Sequence, residues 1–127
     1  MEKINMLFKA ILKDDVEEVI RLIDSGADVN AKNDIGWTPL MDSALFGHAE
    51  VTKLLLDAGA DVNDYNKNGY TPLMASASNG HVEVTKLLLD SGANVNAKDD
   101  VGETPMMKAE WARHTEVVEI LIKTGAV

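Results

Sequence analysis

Three histidines are the residues of this sequence that most resemble metal ligands. His48, His81 and His114 recur at intervals of 33 residues, and no cysteine accompanies them. A zinc site needs its ligands about 2 Å from one ion, whereas packed helices place equivalent residues of successive units about 10 Å apart. The pattern therefore favours a structural role at the start of a helix, and we predict no metal site and no cofactor.

Paired carboxylates are the second candidate for chemistry. Asp14–Asp15 and Glu17–Glu18 lie at the expected start of a helix, where the helix dipole favours negative charge. The sequence contains no Gly-rich phosphate loop, nucleophile elbow or His-Glu metal motif. We therefore predict that the protein is not an enzyme.

The elements that carry these residues follow a fixed period. Residues 36–68 and 69–101 are identical at 21 of 33 positions, and parts of the same pattern recur on both sides. Such a period is typical of stacked repeats, in which each unit buries its apolar face against its neighbours. We predict one domain with an opening unit at 1–35, repeats at 36–68 and 69–101, and a closing unit at 102–127.

The opening unit is predicted to contain two helices. Apolar residues at helical spacing define the first helix, and Asp15 with Glu18 forms a capping-box pattern before the second. Gly26 suits the left-handed position after the second helix. The predicted buried stripes consist of Ile4, Leu7, Phe8, Ile11 and Leu12 in the first helix and of Val16, Val19, Ile20 and Ile23 in the second.

Each later unit opens with Thr-Pro, at 38–39, 71–72 and 104–105. Threonine caps a helix and proline suits its first position. Gly47 and Gly80 are expected to end these first helices, and second helices at 50–57 and 83–90 place Val51, Leu54 and Leu55 and their equivalents in the core. The short polar segments between units predict tight turns, which we call fingers.

The motifs Thr-Pro-Leu, Gly-His-x-Glu-Val, Leu-Leu-Leu and Gly-Ala-Asp-Val-Asn, in register on this period, resemble the ankyrin repeat. The resemblance covers nearly the whole chain. It implies an all-α solenoid of helix pairs with turn fingers, a curved groove, and a non-enzymatic surface that binds another protein.

Several positions depart from the family pattern. Met41, Met74 and Met107 replace a histidine, so we expect a polar tether to be replaced by an apolar filler. In the closing unit Glu110 replaces alanine, and Arg113 replaces the glycine that ends the first helix. We expect Arg113 to lengthen that helix, because left-handed geometry costs a residue with a side chain about 1 kcal/mol.

The 12 positions that differ between the two full repeats point to the binding site. Positions 42, 45 and 46 share one face of the first helix, and five of the six aromatic residues lie on that face or at fingers. Tryptophan and tyrosine often dominate binding energy. The predicted partner-binding residues are Ile35, Trp37, Asp42, Leu45, Phe46, Tyr65, Lys67, Asn68, Tyr70, Ser78, Asn79, Val101, Glu103 and Trp111.

Two structural alternatives accompany this prediction. Some aromatic residues could instead pack between fingers and stiffen the stack, Trp111 foremost. The charged neighbours are expected to form a solvated rim of mixed sign that tunes association more than affinity. That rim consists of Lys32, Asp34, Asp42, Lys67, Lys98, Asp100, Glu103 and Lys108.

The net charge of −9 disfavours nucleic acid and anionic membranes as partners. No apolar run approaches the 18 residues of a membrane span, and the absence of cysteine suits a cytoplasmic or recombinant soluble protein. We expect a protein partner and a monomer in isolation. Open alternatives are a small-ligand or nucleotide receptor that stacks on Trp37, Tyr65 and Tyr70, and self-association through the same patch. A natural adaptor or inhibitor and an engineered binder both remain open.

Overall fold

The computed structural model describes residues 2–127, so Met1 of the predicted opening unit lies outside it. These residues form eight helices and no strand, which confirms the all-α prediction. The helices are α1 (Glu2–Leu12), α2 (Val16–Asp24), α3 (Pro39–Phe46), α4 (Ala49–Asp57), α5 (Pro72–Ser78), α6 (Val82–Asp90), α7 (Pro105–Trp111) and α8 (Thr115–Lys123).

The helices stack in two layers. The first helices α1, α3, α5 and α7 pack side by side, and so do the second helices α2, α4, α6 and α8. Within each unit, the first helix also packs against the second helix. Repeat-equivalent residues fill the core between the layers: Leu55, Leu88 and Leu121 are each 0% exposed. Burial of each such side chain contributes about 1.5–3 kcal/mol. The apolar positions that are identical between repeats therefore hold the stack together.

Threonine caps set where the first helices begin. The hydroxyl oxygens of Thr38, Thr71 and Thr104 accept hydrogen bonds from backbone N–H groups three residues later, as predicted. Asp15 likewise accepts from the N–H of Glu18. The Glu18 carboxylate binds Arg21 instead of the Asp15 backbone, so only half of the predicted capping box forms.

An amide or carboxyl side chain shapes each finger. Asn33 accepts from the N–H groups of Ile35 and Trp37, and Asn66 repeats this with Asn68 and Tyr70. Asparagine thus takes over backbone donors that a tight turn leaves without a carbonyl partner. These hydrogen bonds close each finger just before the threonine that caps the next first helix.

The predicted stripe of the second helix is wrong at one position. Ile20 is 40% exposed, whereas Leu22 is buried at 1% exposure and occupies the core in its place. Leu12, predicted to be buried, is 62% exposed at the end of α1. Ile20 and Leu12 both match the helical period. The face of each helix that neighbouring helices cover is narrower than the apolar pattern in the sequence.

The prediction for Arg113 is also wrong. Helix α7 ends at Trp111, and Arg113 adopts the left-handed backbone of the glycine it replaces, with a φ of 62°. Asp14 at the equivalent position of the opening unit does the same, with a φ of 52°. The position of the residue in the repeat therefore decides its backbone, at a cost of about 1 kcal/mol.

Candidate functional site

The fingers and first helices together present rows of repeat-equivalent side chains. One row runs along the fingers through Trp37, Tyr70 and Glu103, and the others run along α3, α5 and α7. We call these residues the groove surface. It consists of Trp37, Asp42, Leu45, Phe46, Tyr70, Ser78, Asn79, Glu103, Lys108 and Trp111.

The centre of the groove surface is an aromatic pair. The rings of Trp37 and Tyr70 lie 5.5 Å apart between centroids, and both residues are half-buried. The Tyr70 hydroxyl donates to Ser78 Oγ at 3.1 Å, because that serine hydroxyl already donates to the Met74 carbonyl. The alternative that aromatic residues pack between fingers is therefore correct for Trp37 and Tyr70, although both rings keep part of their surface exposed.

A partly buried ion cluster adjoins this pair. Lys108 Nζ lies 5.4 Å from the centre of the Tyr70 ring, 2.9 Å from Asp99 and 3.0 Å from Glu103. The Lys108 and Asp99 side chains are only 13% and 9% exposed. The predicted solvated rim is thus wrong for Lys108, which packs under the surface. Asp99 was not predicted, although it stands where Asn33 and Asn66 shape the earlier fingers.

The ion cluster shifts the pKa values of Asp99 and Lys108. Burial opposes the charge on Asp99, but hydrogen bonds from Lys108 and from the backbone of Glu103 and Val101 keep its pKa below the usual range. Burial also opposes the charge on Lys108, while its bonds to Asp99 and Glu103 raise its pKa. Both groups are therefore charged at neutral pH, and their ion pair has a structural role.

Asp42 is the opposite case, a half-buried carboxyl on α3 without such support. Burial raises its pKa to about 6, and no cation or donor among residues 2–127 offsets that burial. The rim prediction is wrong here as well, because the side chain is only partly solvated. At neutral pH Asp42 carries a charge that its surroundings disfavour.

Exposed apolar side chains frame these groups. Phe46 is 40% exposed on α3, and Trp111 is 67% exposed at the end of α7. The structural alternative that Trp111 packs between fingers is therefore wrong, since α7 is the last first-layer helix of the described chain. At the fingers, Ile35, Tyr65 and Val101 are 65%, 61% and 75% exposed.

The remaining predicted residues are spread around the same surface. Leu45 is half-buried and packs against the core, and Asn79 donates from its amide to the Ala75 carbonyl at 2.8 Å. Lys67 and Asn68 are exposed at a fingertip. The structure brings the helix residues together, while Lys67, Asn68, Ile35, Tyr65 and Val101 lie along the finger edge.

The histidines link each unit to the one before it. His81 Nε2–H donates to the Leu45 carbonyl at 2.8 Å, and His114 donates to the Ser78 carbonyl at 3.1 Å. Neither caps its own helix, so the predicted contribution to the helix start is corrected to a contact between repeats. Within residues 2–127, no three candidate ligands lie close enough to hold a metal ion.

The first such contact differs, because Asp14 replaces the glycine. A Cβ at Gly47 would lie 2.5 Å from the His81 ring, so that histidine needs the glycine beneath it. Above Asp14, His48 instead lies 3.7 Å from the aspartate carboxylate and 5.7 Å from the Phe46 ring. The sequence signal for this link was the shared 33-residue spacing of the glycines and histidines.

Comparison with known proteins identifies the class to which this architecture belongs. The family model described as ankyrin repeats (3 copies) matches residues 2–66 and 61–127. The chain therefore belongs to the ankyrin repeat family, whose repeats are generally protein-interaction modules. Within the described residues, none of the helices combines the length and apolar character that crossing a membrane requires.

A shorter similarity links the chain to two mitochondrial disaggregases. The proteins from Bos taurus and Homo sapiens are each 49% identical to it over 39 residues. That stretch is 31% of this chain but spans only 6% of the length of either relative. The match therefore concerns little more than one repeat.

Proposed function

We propose that this protein is a non-catalytic module that binds a protein partner through the groove surface. One comparison carries the proposal. At the end of α3 stand Leu45 and Phe46, whereas the same positions of α5 hold Ser78 and Asn79. The fold accepts serine and asparagine there, so the stack does not require the partly exposed phenylalanine, and the leucine packs only partly against the core. An interaction with another molecule explains them.

The chemistry of the groove surface favours a protein over other partners. Exposed aromatic and aliphatic side chains beside polar groups resemble the anchors and rim of a protein interface. The net charge of −9 disfavours nucleic acids and anionic lipid surfaces. An interface of standard size would cover about 800 Å² on each partner. Such a module would act as an adaptor or inhibitor, and the absence of cysteine suits a cytosolic setting.

The neighbouring repeat supplies the substitutions that test the proposal. The double variant Leu45→Ser with Phe46→Asn copies α5 onto α3, so we expect it to fold. Ile20→Lys is the matched control, because Ile20 is 40% exposed on the second layer and Lys53 and Lys86 occupy its equivalent positions. Each tagged protein is used to capture partners from cells that express the chain.

We expect the wild type and Ile20→Lys to retain the same partner, and the double variant to lose most of it. Equal capture by all three proteins would refute the proposal. Sedimentation at several concentrations tests for self-association. A dimer that the wild type forms and the double variant does not would show that a second copy of the chain occupies the groove surface.

A further inference from the structure

We propose that Tyr70 and Ser78 are positioning residues, which hold the Trp37 ring in the orientation that contacts the protein partner. The inference rests on the proposed function, and it names the residues that prepare one anchor of the groove surface for binding. Two observations carry it. One is the series of contacts that runs from α5 through Tyr70 to Trp37, and the other is the type of residue that neighbouring repeats hold at the position of Ser78.

The backbone of Trp37 is fixed by its own finger. Its N–H donates to Asn33 Oδ1 at 3.0 Å, and its carbonyl accepts from the Asn33 N–H at 2.9 Å. These backbone bonds leave the side-chain rotamer open, because they do not involve the indole ring. The aromatic ring against which the indole packs belongs to the next finger: the Tyr70 ring lies 5.5 Å away between centroids, at an angle of 38°. Tyr70 therefore restricts how the indole ring can turn.

Tyr70 is itself held at three places. Its N–H donates to Asn66 Oδ1 at 3.0 Å, and its hydroxyl donates to Ser78 Oγ at 3.1 Å. Ser78 Oγ donates in turn to the Met74 carbonyl at 2.6 Å, which fixes the serine rotamer on α5. The third contact is the Lys108 ammonium group, 5.4 Å from the centre of the Tyr70 ring. A tyrosine held at its backbone, its ring and its hydroxyl has little freedom to turn.

Neighbouring repeats show that the fold does not require this arrangement. Leu45 and Trp111 occupy the position of Ser78 in α3 and α7, so neither of those helices carries a hydroxyl there. Both helices form nevertheless. What the hydrogen bond between Tyr70 and Ser78 adds is a fixed orientation of the aromatic pair.

A fixed aromatic side chain binds a partner more tightly than a mobile one. Ordering a mobile side chain on binding lowers the affinity by a factor of about 3 to 10. Trp37 keeps part of its surface exposed beside Tyr70, and tryptophan is a frequent anchor of protein interfaces. Ordering of Trp37 before the encounter therefore raises the affinity without any further contact with the partner.

The first test measures the order of the Trp37 ring in the free protein. The Trp111→Phe variant assigns the two indole N–H resonances of the chain, and ¹⁵N relaxation then reports the order of each ring. We expect Tyr70→Phe and Ser78→Ala each to lower the order parameter of the Trp37 indole by about 0.2, towards that of a flexible group. Tyr65→Phe is the matched control, because that tyrosine is 61% exposed, and it should leave both indoles unchanged.

The second test measures the affinity for the captured partner by calorimetry. We expect Tyr70→Phe and Ser78→Ala each to weaken binding about threefold to tenfold. In a Trp37→Ala background, Tyr70→Phe should change the affinity less than twofold, because the ring that it positions is absent. A merely structural role, or a direct contact of the tyrosine hydroxyl with the partner, would instead give the same loss in both backgrounds.

Three results would overturn the inference. These are an unchanged order of the Trp37 indole in either variant, an affinity of either variant within twofold of the wild type, or an equal loss with and without Trp37.

The same measurements separate this inference from the proposed function. If Tyr70→Phe and Ser78→Ala bind the partner as the wild type does, while Leu45→Ser with Phe46→Asn loses it, the positioning role is refuted and the protein-binding function stands. If that double variant retains the partner, the proposed function fails, and the positioning role fails with it.

Discussion

Gly47 is constrained both by its own backbone and by the next repeat. Its φ is +72°, and an added Cβ would lie 2.5 Å from the His81 ring. Gly59 has a φ of +97° but has nothing within 4 Å of an added Cβ. A side chain at either glycine would therefore be strained by the left-handed backbone. Only at Gly47 would it also clash with a neighbouring residue.

We predict that Gly47→Ala lowers the free energy of unfolding by about 2–4 kcal/mol, and Gly59→Ala by about 1 kcal/mol. The larger loss arises because the His81 ring must move away from the Leu45 carbonyl. Chemical denaturation of both variants measures the difference. Equal losses would show that the histidine contact contributes nothing.

Asp42 makes stability depend on pH in a definite direction. Burial raises its pKa from the ordinary 3.8 to about 6 in the folded chain, so the folded state binds a proton more readily than the unfolded state. The contribution of this carboxyl to stability is therefore largest below about 4 and is lost as pH rises through about 6.

We predict that Asp42→Ala is more stable than the wild type at pH 7.5, by about 1 kcal/mol after allowance for solvent screening. The advantage should shrink as pH falls to 4.5, because the wild-type carboxyl is then protonated. Thermal melts of both proteins across this range test it. A difference that stays constant with pH would contradict the raised pKa.

Among whole elements, the last finger and α7 depend on each other through Asp99 and Lys108. Removal of either partner leaves the other charge buried without its main counter-ion, which is costly. One period earlier in the chain, Asn66 and Ala75 occupy these two positions, and that finger and α5 fold without the ion pair. The Asp99–Lys108 pair and the Asn66–Ala75 pair are thus two alternative ways to pack a finger against a first helix.

We predict that Lys108→Ala and Asp99→Asn each lower stability by about 1–3 kcal/mol. The double variant, which recreates the pairing of Asn66 with Ala75, should lose less than the sum of the two by at least about 1 kcal/mol. A double-mutant cycle by urea denaturation measures this coupling. Strict additivity would show that the two side chains act independently.

Local sequence rules predicted where α2, α3, α5 and α7 begin. Threonine before proline and Asp15 before α2 act within three or four residues, so their hydrogen bonds could be inferred from the chain alone. The backbone of Arg113 could not, because its residue type disfavours the left-handed turn that ends α7, where the His114 N–H donates to the Ala109 carbonyl. The burial of Lys108 also depends on residues from a finger, which spacing along one helix does not reveal.

At the scale of the whole molecule, the aromatic residues that the sequence analysis grouped together have different surroundings. Nine of the 12 positions that differ between repeats lie at fingers or on first helices, whereas Ala49, Ala58 and Asp61 do not. Among the aromatic residues, Trp37 and Tyr70 pack on each other whereas Trp111 is exposed. Which aromatic residue finds a neighbour depends on its place in the stack. The last unit has no following finger or helix among the described residues, so its side chains stay open.

The division between a shared core and a variable surface also predicts how stability and binding separate. Leu45→Ser with Phe46→Asn should keep a cooperative melt, since α5 folds with the same residues. Loss of two apolar anchors in an interface should weaken binding at least tenfold, because each anchor typically contributes more than about 1 kcal/mol.

The most direct test of this account is the affinity of the captured partner for the wild type, the double variant and Ile20→Lys, measured by calorimetry under one set of conditions. We predict that the double variant binds at least tenfold more weakly, while Ile20→Lys stays within twofold of the wild type. An affinity of the folded double variant within twofold of the wild type would contradict the claim that the groove surface binds the partner.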